Sequence, residues 1–393
     1  MGLSFEQIGL LLLVASVVAL LARKVRLPYT VGLVLTGIVL AFSHVAPTAS
    51  LTKHLIFSIF LPPLIFEAAI SIPWKELRRN LLVILTLATV GVLLSASLTA
   101  AGMHYFVGWQ WGAALLFGVL IAATDPVSVI AIFREAGIHG RLRVLVEAES
   151  LFNDGTAAVA FGVALAAVQG GAVTGGGIAL SFLITVLGGV LYGLLVAGAV
   201  LLLVGHTDDH LLEVAFTAVA AYGSFLLAEH FHLSGVLASL AAGILIGNTG
   251  SLGAISDKGR EAVPTVWEFV AFIVNSLIFL LMGLRLTQEH FAAFWLPSLV
   301  AIAVVVMGRA LSVYPCCALF LRSSQRVSWG HQHVLVWGGL RGALALALVL
   351  GLPPDLSERQ AITAAAFAVV AFSIVVQGFT IKSLLRKVGA LPL

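Results

Sequence analysis

Long apolar runs, almost free of charge and separated by short polar joints, recur from one end of the chain to the other. Thirteen can be delimited, at 4–22, 28–45, 53–72, 80–107, 111–133, 143–169, 176–205, 210–229, 233–248, 264–286, 293–321, 331–350 and 360–385. A helix needs about 20 mostly apolar residues to cross the hydrocarbon core, and most of the runs meet that length. Strands of a transmembrane barrel would read as alternating segments of about ten residues; these runs are continuous, so they predict helices. Of the 393 residues, 60% are hydrophobic and 10% charged, against about 45–50% and about 25% in soluble domains. A soluble core cannot enclose that much apolar surface. The expected class is an all-α polytopic membrane protein with 13 transmembrane helices, which excludes a cytosolic enzyme, a nucleic-acid binder and a secreted disulfide scaffold. Cys316 and Cys317 are adjacent within an apolar run and offer neither a disulfide framework nor a metal site. Glu6 precedes the first run, where a signal peptide would carry basic residues, so no cleaved signal is expected.

Charge sets the orientation, because Lys and Arg concentrate on cytoplasmic loops. With the N-terminus outside and strict alternation, sixteen of the 21 Lys and Arg fall on inside loops. Only Lys53, Arg285 and Arg359 fall outside, and Arg309 and Arg341 lie within spans. A miscounted span would scramble this alternation beyond the error; it persists to the last loop. The expectation is therefore N-terminus outside and C-terminus cytoplasmic, with the Gly-rich stretch 170–177 as an outside loop. Thirteen also divides as six, one and six. Spans 1–6 and 8–13 then have opposite topology, the layout of transporters built from inverted repeats. The fifth span is interrupted by Thr124-Asp125-Pro126 and its counterpart, the twelfth, by Gly338-Gly339-Leu340-Arg341-Gly342. Interrupted helices in matching positions of two halves point to an ion site at the midplane.

Ionisable groups at membrane depth are costly and are read first as functional. The candidates are Glu67 after Pro62-Pro63, Asp125 in the fifth-span break, Glu147, Glu149 and Asp154 on the sixth span, Glu213 and Glu268 near the starts of theirs, Arg309 in the eleventh and Arg341 in the twelfth-span break. Pro126 lacks an N–H and disfavours helix at Asp125. The helix should open there, freeing carbonyls near Thr124 beside a carboxylate, a set of hard oxygen ligands suited to a cation. Asp125 would also cap the half-helix that follows, and the two roles are compatible. Ser150 and Asp154 are four apart and share a helical face, with Glu149 and Asn153 stacked on a neighbouring one. A carboxyl buried without a counter-charge favours its protonated form and a neighbouring cation favours its ionised form. One group can thus hold H+ or Na+ but not both, which is the minimal mechanism of an exchanger. The bland alternative is a polar helix seam, for which three acids in eight residues is excessive. Arg309 and Arg341 need partners among Glu149, Glu147 and Glu67; the expected pair is Arg309 with Glu149, and Arg341 would offset helix-end dipoles and acidic charge. The histidine pairs His206/His210, His230/His232 and His331/His333 sit near span ends and read as interfacial. His232 and Glu229 could titrate as pH modulators.

Leu-Pro-Pro-Leu-Ile-Phe-Glu-Ala (61–68), Ala-Thr-Asp-Pro-Val-Ser-Val (123–129), Glu-Ser-Leu-Phe-Asn-Asp-Gly (149–155) and Gly-Gly-Leu-Arg-Gly-Ala (338–343), in this order, together resemble the sodium/proton exchanger family of the cation/proton antiporter superfamily, and NhaP-type prokaryotic members most. The resemblance covers essentially the whole chain. It implies a homodimer in the inner (plasma) membrane, with lipid contacts, no cofactor, no nucleic acid and no soluble substrate. It implies a dimerisation domain from residues 1–75 (spans 1–3) and 207–290 (spans 8–10). A core ion-transport domain would comprise 76–170 (spans 4–6) and 291–393 (spans 11–13), with 171–206 as a linker helix. The fifth and twelfth spans would be unwound and cross, and the core would slide as an elevator. Carried over by motif, Asp154 is the ion- and proton-binding carboxylate, and Asp125, Ser150 and the Thr124 backbone complete a site for Na+. Glu149 pairs with Arg309, while Arg341 and Glu67 are supporting residues of less defined role. Asn153, where the electrogenic branch carries Asp, implies electroneutral exchange of one Na+ or Li+ for one H+. The chain ends soon after Lys387, so the cytoplasmic tail of larger members is expected to be absent or removed.

Three other readings remain open from the sequence. K+/H+ exchange is one, since oxygen ligands alone do not fix ion radius. A cation channel would need a continuous polar pore, whereas the polar residues here share one depth. An intramembrane aspartyl protease could use Asp125 and Asp154, but that leaves the Asp125-Pro126 break and the arginines unexplained.

Overall fold

A computed structural model describes residues 5–25, 28–42, 51–135, 137–170, 175–205, 207, 209–249, 255–289 and 291–391. Residues 171–174 of the Gly-rich joint, Arg26 and His206 lie outside this set. Among the described residues there is no strand, only an isolated antiparallel bridge between Asp125 and Leu340. The helices are α1 (Phe5–Val25), α2 (Tyr29–Ala41), α3 (Leu61–Ile70), α4 (Trp74–Thr86), α5 (Val92–Val107), α6 (Trp111–Leu120), α7 (Val127–Glu135), α8 (Arg141–Val168) and α9 (Gly175–Val204). Then follow α10 (His210–His230), α11 (Gly235–Thr249), α12 (Asp257–Leu286), α13 (Trp295–Ala318), α14 (Trp329–Trp337), α15 (Ala343–Leu350), α16 (Arg359–Phe372) and α17 (Gly378–Lys387). A π-helical turn, Leu55–Phe60, leads into α3; others, Leu87–Gly91 and Ser373–Gln377, join α4 to α5 and α16 to α17 without breaking the rod.

Seven rods among the described residues are long and apolar enough to cross a membrane unaided: Trp74–Val107, Arg141–Val168, Ala179–Val204, His210–His230, Asp257–Leu286, Trp295–Ala318 and Arg359–Lys387. Shorter apolar helices, including Tyr29–Ala41, Leu55–Ile70 and Gly235–Thr249, pack among them. Large apolar side chains face outward, such as Leu13 and Leu20 on α1 and Leu180, Leu187 and Leu195 on α9. That inverts the pattern of a water-soluble surface and fits hydrocarbon as the solvent.

Packing divides the helices into two sets. In one, α2 lies on α12, α3 on α11 and α12, and α11 on α9 and α10. In the other, α5 lies on α6 and α13, α8 on α4 and α6, and α16 on α13 and α15. The sets meet where α8 touches α3, α9 and α11, where α15 touches the Leu55–Phe60 turn, and where α2 touches the Ser373–Gln377 turn.

Two acids near span ends, Glu213 and Glu229, satisfy the starts of other helices. Glu213 is fully buried and accepts from the Ser256 amide at 2.9 Å and its hydroxyl at 3.0 Å, fixing the start of α12. Glu229 accepts from the Gly235 amide at 3.0 Å at the start of α11. Both place negative charge where orphan amides and the helix dipole favour it.

At the α2–α12 seam small residues let the two helices approach closely. A Cβ on Gly37 would stand 2.3 Å from the Leu280 carbonyl oxygen, and one on Gly283 would stand 2.3 Å from that of Val34. Gly37→Val should therefore overpack the seam, at a cost of about 1–3 kcal/mol, read as a lower melting temperature of the detergent-purified protein. Gly162, with nothing within 4 Å of an added Cβ, is the control. Equal melting of Gly37→Val and Gly162→Val would contradict the close approach.

Candidate ion-binding site

The site forms where two helices lose their hydrogen bonding. Helix α6 stops at Leu120 and α7 starts at Val127; α14 stops at Trp337 and α15 starts at Ala343. Pro126 removes one donor from the first gap and the glycines loosen the second. The two gaps pair with each other: the Asp125 amide donates to the Leu340 carbonyl at 2.8 Å. Asp125 then turns its carboxylate to both restarting helices. It accepts from the Val127 amide at 2.9 Å and from the Ala343 amide, so one side chain caps α7 and α15 together. The second gap needs Gly342 for this contact, since a Cβ there would stand 2.0 Å from the Asp125 Oδ2.

Helix α8 runs alongside the gaps and supplies the next residues. The Asn153 amide donates to the Thr124 hydroxyl at 3.2 Å, which donates to the Ser150 hydroxyl at 3.1 Å. Ser150 in turn donates to the Thr124 carbonyl. The Asn153 amide also reaches Glu149 at 3.4 Å. All four side chains are buried. Asp154, one turn beyond Ser150, is half-buried, and its Oδ1 is enclosed with no hydrogen-bond partner among the described residues.

Glu149 and Arg309 make the strongest contact here. Nη1 and Nη2 of Arg309 donate to Oε1 and Oε2 of Glu149 at 2.9 and 2.8 Å, a bidentate fork that matches the two planar groups. Nη2 and Nε also donate to the Leu335 carbonyl, near the end of α14, at 3.1 and 3.3 Å. The pair is almost wholly enclosed, at 4% and 2% exposure, and ties α8 to α13 and α14. Gly339 lies flat against the guanidinium, where a Cβ would be 2.9 Å from Nε. Arg341, 2% exposed, donates to the Gly339 carbonyl at 3.2 Å and leaves its Nε without a partner among the described residues. It stands within electrostatic reach of Asp154, Glu149 and Arg309. The dipoles are complementary. Asp125 faces two helix N-termini, and the arginines face the carbonyl ends.

A cavity of about 390 Å3 leads to Asp125 and Asp154. Glu67, half-buried on α3, and Glu147, which accepts from Arg143 Nε at 3.3 Å, line it. Tyr29, Glu268, Asn275 and Lys382 line it too. Tyr29 and Asn275 did not stand out in the sequence. Asn275 is a polar residue in the middle of an apolar run and could have been singled out on that ground; Tyr29, at the head of α2, carries no such mark. Tyr29 stacks on Phe272, with ring centroids 6.0 Å apart. No group of three or more His, Cys, Asp or Glu side chains gathers at metal-binding distance among the described residues. A cation here would meet two carboxylates, a hydroxyl and backbone carbonyls.

Removing one partner of a buried ion pair strands the other. Arg309→Ala should therefore cost about 3–5 kcal/mol of stability, read by thermal melting. A cycle with Glu149→Ala should show coupling between the two losses; additive losses would mean that the fork contributes nothing.

Residues 10–387 match the family described as "Sodium/hydrogen exchanger, transmembrane". The chain is 40% identical to the Na(+)/H(+) antiporter ApNhaP of Aphanothece halophytica over 93% of its own length and 70% of that protein. It is 35% identical to the Na(+)/H(+) antiporter NhaH of Halobacillus aidingensis over 98% of both. The solved structure of the sodium proton antiporter MjNhaP1 from Methanocaldococcus jannaschii superposes with a TM-score of 0.77 at 19% identity, covering 98% of both chains, and so shares the fold. By this match along nearly its whole length, the chain belongs to the sodium/hydrogen exchanger family.

Proposed function

We propose that the chain is a Na+(Li+)/H+ antiporter in which cation and proton compete for Asp154. The observation that carries this reading is the enclosed Oδ1 of Asp154, without a partner among the described residues, on a cavity shared with Asp125 and close to the Ser150–Thr124 pair. A lone carboxylate oxygen in a low-dielectric pocket is satisfied either by a proton or by a bare cation, and each excludes the other. Asp125 and the Thr124 carbonyl, which has a second lone pair beyond the one Ser150 uses, would hold the cation from the other side. The Arg309–Glu149 fork keeps α8 against α13 and α14 while the site empties and refills.

Asn153 supports an electroneutral cycle. Its amide donates to Thr124 and Glu149, so it organises the site without carrying a second transported proton. In the proposed architecture the chain crosses the plasma membrane thirteen times, N-terminus outside and C-terminus cytoplasmic, following the charge of its loops. The two packing sets support an elevator in which spans 4–6 and 11–13 move against spans 1–3 and 8–10 of a homodimer. Glu268, in the first half of α12, and Lys382, within α17, line the cavity; in the proposed orientation both lie toward the cytoplasmic side, so the cavity would face the cytoplasm.

The test is proton flux in proteoliposomes carrying an internal pH dye, at zero membrane potential. Addition of Na+ outside should alkalinise an acidic interior, and Asp154→Asn should abolish the response while leaving a monodisperse protein. Exchange retained by Asp154→Asn would remove the central assignment, and a response to K+ alone would change the cargo.

A further inference from the structure

The buried crossing holds three carboxylates, Asp125, Glu149 and Asp154, against two guanidiniums, Arg309 and Arg341. Arg309 is committed to Glu149 by two hydrogen bonds. Asp125 is held by two helix N-termini. Arg341 has no such partner among the described residues: it donates to the carbonyl of Gly339, two residues away, and its Nε has no acceptor there. A buried guanidinium without a carboxylate of its own is costly, so its charge is balanced by the site as a whole. The set then carries one net negative charge when every member is ionised.

From this we infer that Arg341 is a valence filter, which sets the ion site to accept a single positive charge and rejects divalent cations. This rests on the antiport reading for the identity of the cargo, but concerns the charge of the site. One Na+ or one H+ neutralises the crossing. A Ca2+ ion at the same oxygens would leave an uncompensated positive charge in a medium of low dielectric, and its stronger hydration makes entry dearer still. The oxygen ligands alone would not exclude it, since carboxylates, carbonyls and hydroxyls are what Ca2+ also takes. The exclusion comes from charge, and Arg341 is the charge with no other evident duty. Removing it raises the net negative charge by one unit. So does Asn153→Asp, which adds a carboxylate immediately before Asp154 on α8. Two chemically unrelated changes should therefore have one effect. A unit charge acting across a few ångströms at an effective dielectric of about 20 shifts the Ca2+-over-Na+ preference by about a hundredfold.

The experiment measures stabilisation of the purified, detergent-solubilised protein by Na+ and by Ca2+ at constant ionic strength, with inhibition of Na+-driven proton flux by Ca2+ as a second readout. The unaltered protein should respond to Na+ and not to Ca2+. Arg341→Gln should gain Ca2+ stabilisation and Ca2+ inhibition, and Arg341→Lys, which keeps the charge, should not. A folded Arg341→Gln that ignores Ca2+, or an Arg341→Lys that gains Ca2+ as strongly, overturns the inference. If Arg341→Gln does not yield a monodisperse protein, Asn153→Asp is judged on the same criteria. Absence of Na+-driven flux in the unaltered protein, with the Ca2+ pattern as expected, counts against antiport and supports the valence assignment.

Discussion

Backbone groups freed inside hydrocarbon must find partners, because no water is there to supply them. Everything at the crossing follows from that demand. Two helices open at the same depth, and their exposed amides and carbonyls turn to each other through the Asp125–Leu340 bond. The remaining amides go to the Asp125 carboxylate, and carbonyls go to Ser150, Arg309 and Arg341. The broken helices are thus held by the same side chains that would handle the cargo. Gly339 and Gly342 are part of the arrangement, because a methyl group at either would displace a charged group.

The polar residues of the site differ in how fully the protein itself satisfies them. Glu149 and Arg309 saturate one another and a carbonyl, so they act as a cross-brace between α8, α13 and α14. The Asn153–Thr124–Ser150 relay orients the opened segment against α8. Asp154 is bordered by these fixtures but satisfied by none of them at Oδ1. The braced turn of α8 that carries Glu149 thus sets the position of Asp154, the carboxylate proposed to take the cargo.

The helical class could be read from the sequence because apolar runs of span length, without alternation, admit little else, and the family could be read from four ordered motifs. The Asp125-Pro126 step carries its own mark as well, since proline removes a donor wherever it falls. What spacing could not give was direction. A four-residue interval puts Ser150 and Asp154 on one face, yet says nothing of Ser150 turning to the Thr124 carbonyl or of Asp125 serving a second helix that starts 218 residues on, at Ala343. Partner choice across the fold depends on long-range packing, and so Arg309 had three candidate acids until α8 and α13 were brought together. Tyr29 and Asn275 reach the cavity from α2 and α12.

The double capping by Asp125 bears on how firmly a guest can be held. Its carboxylate already receives amide protons from α7 and α15, so an ion arriving there shares it. Such sharing weakens the grip, and a weak grip is what a shuttle requires: cargo seated too comfortably would ride back and forth without ever stepping off. The same two hydrogen bonds that keep the broken helices together would also keep the traffic moving.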